Sequence, residues 1–330
     1  MLYPPPQKDN KPSNLPEIII FAKRAVPMAT FINPFTDFGF KKIFGQEVDK
    51  DVLIDFLNSL LVGERHIVDI TFLDKESLAD HSDGRKAIFD IYCRTDSGEY
   101  IIVEMQNGKQ ERFLERMLYY TTRSIATQGD KGTDWGYEVN AVYGVALMNF
   151  VQAKLKKFRT DFTLADRDDP TVMSDKLRMI FLQLPLFEKD GIDDESTDFE
   201  KWIYVLKNME TLKRMPKAAQ KAVFQKLASI ASIANLTPEE RQVYDRDLKT
   251  YRDTLVFEKE EKERIEKAKE CGKIEGMRMG REEGRMEEKK QIVLTMVEND
   301  VPFETISLYT GLSTEEIAEI VKGRSGAAEA

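Results

Sequence analysis

The chain of 330 residues is about twice the length of a typical domain, and its 42% hydrophobic content supplies apolar material for a sizeable core, so a single small domain and wholesale disorder are excluded. No apolar run reaches the roughly 18 to 20 residues that span a bilayer, which excludes an integral membrane protein and predicts a cytoplasmic one. Two cysteines and two histidines exclude a disulfide framework and a zinc or iron–sulfur cluster, so a bound metal needs oxygen ligands.

The N-terminal segment, residues 1–29, differs from the rest of the chain. It contains six of the twelve prolines, so no regular element runs through it and we predict a disordered tail. Its only apolar run, residues 18–22, is too short for the apolar segment of a signal peptide. Ordered structure is predicted to begin near Phe31, which makes Met28 an alternative start to Met1.

Hydrophobic periodicity after the tail predicts an α/β core followed by helices. Apolar residues recur at helical spacing in some segments, and β-branched and aromatic residues cluster in runs of strand length in others. In chain order the pattern predicts two short helices within 37–62, strands at 67–73, 87–94 and 100–106, a helix at 110–127, strands at 139–150 and 177–187, and helices from Trp202 to Leu255.

Acidic residues interrupt the second and third predicted strands. The loop of residues 96–98 between them suits a type I turn closed by Gly98 in the left-handed region. In that register Asp90 lies directly opposite Glu104, and Gln106 shares their face of the sheet. A four-residue loop would instead send the two carboxylates to opposite faces.

Two opposed carboxylates about 5 Å apart repel each other unless a cation lies near both. A divalent metal, held by carboxylate oxygens and a nearby backbone carbonyl, meets that need. The alternative is a solvated sheet face, or an ion pair with Arg85, Lys86 or Arg94.

The spacing of these residues resembles a known family. Asp90 followed by Glu104, Met105 and Gln106 resembles the D…(D/E)xK core of the PD-(D/E)XK phosphodiesterase fold. With the segments 36–45 and 116–123, the chain resembles over residues 30–255 the Rpn recombination-promoting nucleases, also called PD-(D/E)XK nuclease family transposases. The resemblance implies a restriction-endonuclease-like core, a mixed sheet flanked by helices, with a helical C-terminal extension.

The resemblance also implies metal-dependent cleavage of DNA. Asp90, Glu104 and the carbonyl of Met105 would hold Mg²⁺ or Mn²⁺, and Asp37 would add an outer contact unless it is the N-cap of its helix. Gln106 stands where the superfamily pattern has lysine, so it can orient a water molecule but brings no positive charge.

Contacts with DNA are predicted on two helices. The resemblance implies that Lys41 or Lys42 meets a phosphate, while Arg116, Tyr120 and Arg123 share one helix face at i, i+4 and i+7 spacing. The net charge of −9 argues against a strongly cationic binder, although it hides local patches such as the basic stretch 207–226. The alternative for the second helix is that Tyr119 and Tyr120 are core aromatics and the arginines pair with Glu111 and Glu115.

The C-terminal third changes in composition. Residues 256–290 are predicted to form a charged helical linker in which glycine recurs every fourth residue from 272 to 284. Residues 291–322 resemble a small helix-turn-helix module in which Ser313 and Glu316 suit a capping box, and residues 323–330 form a tail. Glutamates dominate its second helix and repel phosphate, so protein contact, including homo-oligomer formation, is at least as favoured as DNA contact.

The sequence therefore predicts a Mg²⁺-dependent deoxyribonuclease linked to recombination or mobile elements, with DNA as its partner. The alternative is a module that keeps the fold and binds DNA or protein but cleaves weakly or not at all, because Gln106 replaces lysine. A structural assembly protein driven by the C-terminal helices would leave Asp90 and Glu104 unexplained.

Overall fold

The structure, a computed structural model, describes residues 29–74, 89–129 and 136–327, with side chains described as far as residue 323. By its internal contacts the chain divides into two compact units, with the boundary between Tyr251 and Arg252. The predictions for residues 1–28, for the start of the second strand, and for Arg85 and Lys86 lie outside the described residues, as do residues 328–330 of the predicted tail. Residues 323–327 of that predicted tail are helical.

The described residues form helices and strands in an order close to the predicted one. The helices are α1 (Asp37–Phe44), α2 (Lys50–Leu60), α3 (Phe113–Ala126), α4 (Asp198–Asn208), α5 (Ala222–Ile230), α6 (Pro238–Glu298), α7 (Phe303–Thr310) and α8 (Thr314–Ala327). The strands are β1 (Ile70–Phe72), β2 (Ile91–Thr95), β3 (Tyr100–Gln106), β4 (Val142–Met148), β5 (Arg159–Ala165) and β6 (Met173–Gln183).

The start of α1 corrects one expectation. Thr36, not Asp37, is the N-cap, and its hydroxyl accepts a hydrogen bond from the amide of Gly39. Asp37 lies in the first turn, where a negative charge interacts favourably with the helix dipole. Threonine has the cap position because the chain is still extended there, which suits a short hydroxyl side chain.

The strands of the described residues form one sheet in the order β1-β2-β3-β4-β6-β5. The first three strands form the predicted antiparallel meander, β3 and β4 run parallel, and so do β4 and β6. Strand β5 pairs antiparallel with β6 at the edge, and it was not predicted. The mixed sheet with flanking helices confirms the expected fold class.

Helices cover both faces of this sheet. One face packs against α1, α2, α4 and α5 through a core that includes Ile91, Val103 and Trp202. The opposite face packs against α3 through Tyr92 and Ile102, because alternate strand residues point to opposite sides. Cys93 lies fully buried on the first face, and this burial raises the pKa of its thiol to about 12.

The second unit has its own small core. Val293, Ile306, Leu312 and Ile317 are buried together where the end of α6 meets α7 and α8. Gly311 ends α7 in the left-handed region, with φ of 69°, and Ser313 and Glu316 form the predicted capping box at the start of α8. None of the helices in the described part of the chain has the length and apolarity that a membrane crossing needs.

Candidate active site

The hairpin of β2 and β3 has the predicted register. Ile91 pairs with Val103 and Tyr92 with Ile102, and one more step in the same register brings Asp90 opposite Glu104. The loop is the predicted three-residue turn, with Gly98 at a φ of 96° and its amide bonded to the carbonyl of Thr95 at 3.0 Å. The turn therefore fixes which acidic residues face each other.

Each of the two carboxylates accepts a hydrogen bond from a backbone amide of the opposite strand segment. The amide of Asp90 donates to Oε2 of Glu104 at 3.2 Å, and the amide of Met105 donates to Oδ2 of Asp90 at 2.7 Å. Glu104 is buried and Asp90 is half-buried. Each carboxylate thus has a fixed orientation on the face of the hairpin that packs against α3.

A cation from α3 completes the pair. Nη2 of Arg116 donates to Oε1 of Glu104 at 2.8 Å and to Oε1 of Gln106 at 2.7 Å. Such charge-assisted bonds offset the cost of burying a glutamate. The alternative that Arg116 pairs with Glu111 or Glu115 is therefore wrong.

The aromatic residues of α3 divide between core and surface. Tyr120 is only 9% exposed and packs with Phe89, whereas Tyr119 is 49% exposed. Burial raises the pKa of the Tyr120 hydroxyl, and Arg116 opposes that shift. Tyr120 therefore remains a neutral phenol at neutral pH and is not a general base. Its ring packs beside the guanidinium of Arg116.

The structure shows the other predicted residues in different contacts. Asp37 and Lys41 form an ion pair of 2.5 Å with each other, and Lys42 pairs with Glu240 at 2.6 Å. Arg123 lies half-buried near the end of α3. The described contacts of Asp37, Lys41 and Lys42 thus lie within α1 and toward α6, not at Asp90 and Glu104.

The basic stretch 207–226 is partly neutralised. Lys207 donates to the carbonyl of Phe187 at 2.6 Å, Lys226 pairs with Asp51 at 2.5 Å, and Lys221 pairs with Asp198. These contacts hold α4 and α5 in the first unit. For these three lysines, the interpretation as structural contacts is the better one.

Asn107 is a site residue that the sequence did not reveal. It follows Gln106 directly, its amide nitrogen donates to the carbonyl of Phe35, and its Oδ1 is buried with no hydrogen-bond donor among the described residues. The one signal in the sequence was its place at the carboxyl end of β3, beside the three predicted residues. It ties the end of this strand to the segment that precedes α1.

The donor set at the site suits a magnesium-like ion. In the described part of the chain, no group of three or more His, Cys, Asp or Glu side chains could hold a metal. The site instead offers two carboxylates, Asp90 and Glu104, on adjacent strands. Mg²⁺ commonly uses one or two carboxylates and keeps several waters, so hard oxygen donors in this number fit it.

Comparison with models of protein families gives a match over most of the chain. Residues 34–290 match the model described as PD-(D/E)XK nuclease family transposase. Comparison with curated proteins and with solved structures gives no match for this chain. The family match covers the whole of the sheet and every site residue described above.

Proposed function

The chain belongs to the PD-(D/E)XK nuclease family transposases, and from this premise we propose that it is a metal-dependent DNA endonuclease that acts in recombination or on mobile elements. The family supports a nuclease-like function. The observation that supports the finer proposal is that the carboxylates of Asp90 and Glu104 are each held by a backbone amide of the opposite strand, Met105 for Asp90 and Asp90 for Glu104. Two acidic side chains opposite each other in one hairpin, one of them buried, favour cation binding over a merely solvated sheet face.

Each site residue has a role in this proposal. Asp90, Glu104 and the carbonyl of Met105 would hold Mg²⁺ or Mn²⁺, with Asp37 as a more distant candidate. When bound, the ion supplies Lewis-acid polarisation of a phosphate oxygen and lowers the pKa of a water molecule. Gln106 is oriented through both ends of its amide, since Oε1 accepts from Arg116 and Nε2 donates to the carbonyl of Gly108 at 3.0 Å. The remaining lone pair of Oε1 orients the attacking water.

The proposed DNA contacts are Lys41, Lys42, Arg116 and Arg123, with Tyr120 as a packing support rather than a direct contact. Lys42 is shared with Glu240, so its contact with a phosphate would replace a surface ion pair worth at most about 1 kcal/mol. We further propose that the protein acts in the cytoplasm and that its C-terminal helices contribute to self-association.

A plasmid assay tests this function. Purified protein is incubated with supercoiled plasmid in Mg²⁺, in Mn²⁺ and in EDTA, beside Asp90→Ala and Asp190→Ala. Asp190 is exposed, so its variant is a control with the same change in charge away from the site. Wild type and Asp190→Ala should nick the plasmid only with metal, and Asp90→Ala should not. Equal nicking by all three proteins, or nicking in EDTA, would show a contaminating activity and refute the assignment.

A second function, a module that binds DNA without efficient cleavage, is favoured by one observation. Gln106 carries no charge, and the buried Glu104 already has Arg116 as its cation. In that case no protein of the series nicks DNA, while Asp90→Ala shifts DNA affinity modestly and mostly at low salt. A gel-shift titration at two salt concentrations separates the two functions.

A further inference from the structure

We propose that Arg116 supplies the positive charge that lysine brings to the (D/E)XK motif, and that DNA cleavage requires Arg116 as the cation that contacts the phosphate. This inference rests on the proposed nuclease function and deepens it. Arg116 is then not one of several contacts with the DNA backbone but the positive charge within the active site.

The guanidinium of Arg116 lies beside the end of the Gln106 side chain. Nη2 of Arg116 lies 2.8 Å from Oε1 of Glu104 and 2.7 Å from Oε1 of Gln106. The positive charge therefore reaches the end of the side chain at position 106, where the pattern has lysine. A helix supplies the charge, and the strand supplies the acceptor.

Side chains of α3 and of the segment before it hold this guanidinium in place. Nη1 of Arg116 donates to Oε1 of Gln110 at 2.6 Å. The guanidinium carbon lies 4.9 Å from the ring centre of Phe113 and 5.9 Å from that of Tyr120, distances at which a cation is attracted to an aromatic face. Such a fixed group needs little reorganisation when charge develops nearby.

The guanidinium keeps an N–H donor for a phosphate. Arginine has five N–H donors, and the three bonds to Glu104, Gln106 and Gln110 leave two of them. One of the two, on Nε, is buried and has no acceptor among the described residues, so the other, on Nη1, is the donor for a ligand. The side chain is 27% exposed, which leaves a path for a phosphate oxygen.

The same contact explains why glutamine suits position 106. Its Oε1 accepts a bond from the same Nη2 that binds Glu104. An ammonium at position 106 would lie against this guanidinium and repel it. We therefore expect a lysine at position 106 to support cleavage only when Arg116 is replaced as well.

The test moves the positive charge from position 116 to position 106. Single-turnover nicking of supercoiled plasmid in Mg²⁺ is measured for wild type, Arg116→Gln, the double variant Gln106→Lys/Arg116→Gln, and Arg112→Gln. Arg112 is exposed and lies one helical turn earlier, so its variant controls for the loss of one positive charge. Arg116→Gln should lose about 100-fold, and the double variant should regain at least about tenfold.

A binding measurement without DNA provides a second readout. Calorimetric titration with Mn²⁺ follows the affinity of the carboxylate pair for a divalent ion. Removal of the cation beside Glu104 should tighten Mn²⁺ binding roughly tenfold in Arg116→Gln, and the lysine of the double variant should reverse that change. Arg112→Gln should bind Mn²⁺ as the wild type does. Thermal unfolding of each variant gives its folded fraction, so a change in stability is separated from a change in the site.

The outcomes separate the inference from the function on which it rests. Metal-dependent nicking that is lost in Asp90→Ala but unchanged per folded molecule in Arg116→Gln overturns the inference and keeps the nuclease. A folded double variant that recovers neither nicking nor wild-type Mn²⁺ affinity also overturns it. A wild type that shows no Asp90-dependent nicking overturns the proposed function and this inference together.

Discussion

Gly144 lies in the centre of the sheet, under α3, and its replacement by alanine tests how tightly that helix is seated. The glycine pairs with Ile102 of β3 and Met179 of β6. A Cβ atom there would lie 2.7 Å from Cγ2 of Thr121 and 3.1 Å from Cε of Met117. Carbon atoms in ordinary contact are about 3.5 to 4.0 Å apart, so the threonine methyl group must move by about 1 Å.

Thr121 cannot rotate away at no cost. It is fully buried, and its hydroxyl donates to the carbonyls of Met117 and Leu118 at 2.9 and 3.1 Å. Either the rotamer changes and these bonds weaken, or α3 moves from the sheet. Overpacking of this kind costs about 1 to 3 kcal/mol. In a domain of this size the Tm of Gly144→Ala should fall by roughly 2 to 12 °C.

The variant should also impair the site, because Arg116 is the neighbour of Met117. A displacement of α3 by about 1 Å would stretch the 2.8 Å bond between Arg116 and Glu104, and misplacement of that size costs up to about 100-fold in rate. Thermal melts and plasmid nicking measure the two effects. Gly191→Ala is the control, since nothing lies within 4 Å of its Cβ position.

A compensating change at Thr121 tests the same contact from the other side. Thr121→Ser removes Cγ2 but keeps the hydroxyl, so it should restore part of the stability lost in Gly144→Ala. If Gly144→Ala is as stable as Gly191→Ala, or if the added serine recovers no stability, then the contact between position 144 and Thr121 does not limit the packing of α3.

Three other changes have defined outcomes. Gln106→Lys alone should lower nicking at least about tenfold, because it sets an ammonium against Arg116, and equal or faster nicking would contradict this. A chain that ends at Leu255 should still unfold cooperatively in a thermal melt, because it keeps the buried Tyr244, and the hydroxyl of Tyr244 accepts a hydrogen bond from the amide of Asn33 at 2.9 Å. A broad melt would show that the removed residues belong to the core. The hydrogen bond from Arg178 lowers the pKa of Glu64 below its ordinary 4.5, so this pair stabilises the folded state above pH 4.5 and the stabilisation is lost as pH falls through the folded pKa. Glu64→Gln should therefore lower the free energy of unfolding by up to about 1 kcal/mol at pH 7 in urea titrations. A difference between the two proteins that persists in acid would contradict this.

The parts of the fold that the sequence predicted are governed by local rules. The hairpin register follows from one glycine in a three-residue turn, so the opposition of Asp90 and Glu104 could be deduced from the residues of the hairpin alone. The bounds of β3 were predicted to the residue, because an apolar run ends at both sides in polar residues. The apolar face of α2 is fully buried, as its helical spacing indicated.

The parts that were missed depend on contacts distant in sequence or on weak patterns. Strand β5 is a mostly exposed edge strand whose apolar alternation is limited to Phe162 and Leu164, so its pattern is weak and its pairing with β6 defines it. The bond from Arg116 to Glu104 and Gln106 depends on how α3 packs on the sheet. Charge and spacing put Arg116 on a helix face, but they do not say which strand that face covers.

The burial of Cys93 gives the hairpin a built-in reporter of its own opening. Of the two thiols, Cys271 is exposed, whereas Cys93 in β2 is inaccessible and, with a pKa of about 12, holds almost no thiolate at neutral pH. A thiol reagent therefore labels Cys271 at once and reaches Cys93 only when β2 separates from its neighbours. The rate of this slow labelling phase therefore reports how often β2 separates from its neighbours in the native protein. Since Asp90 adjoins the same strand, any ion or nucleic acid that engages the carboxylates should lengthen that phase, which makes occupancy measurable without any cleavage.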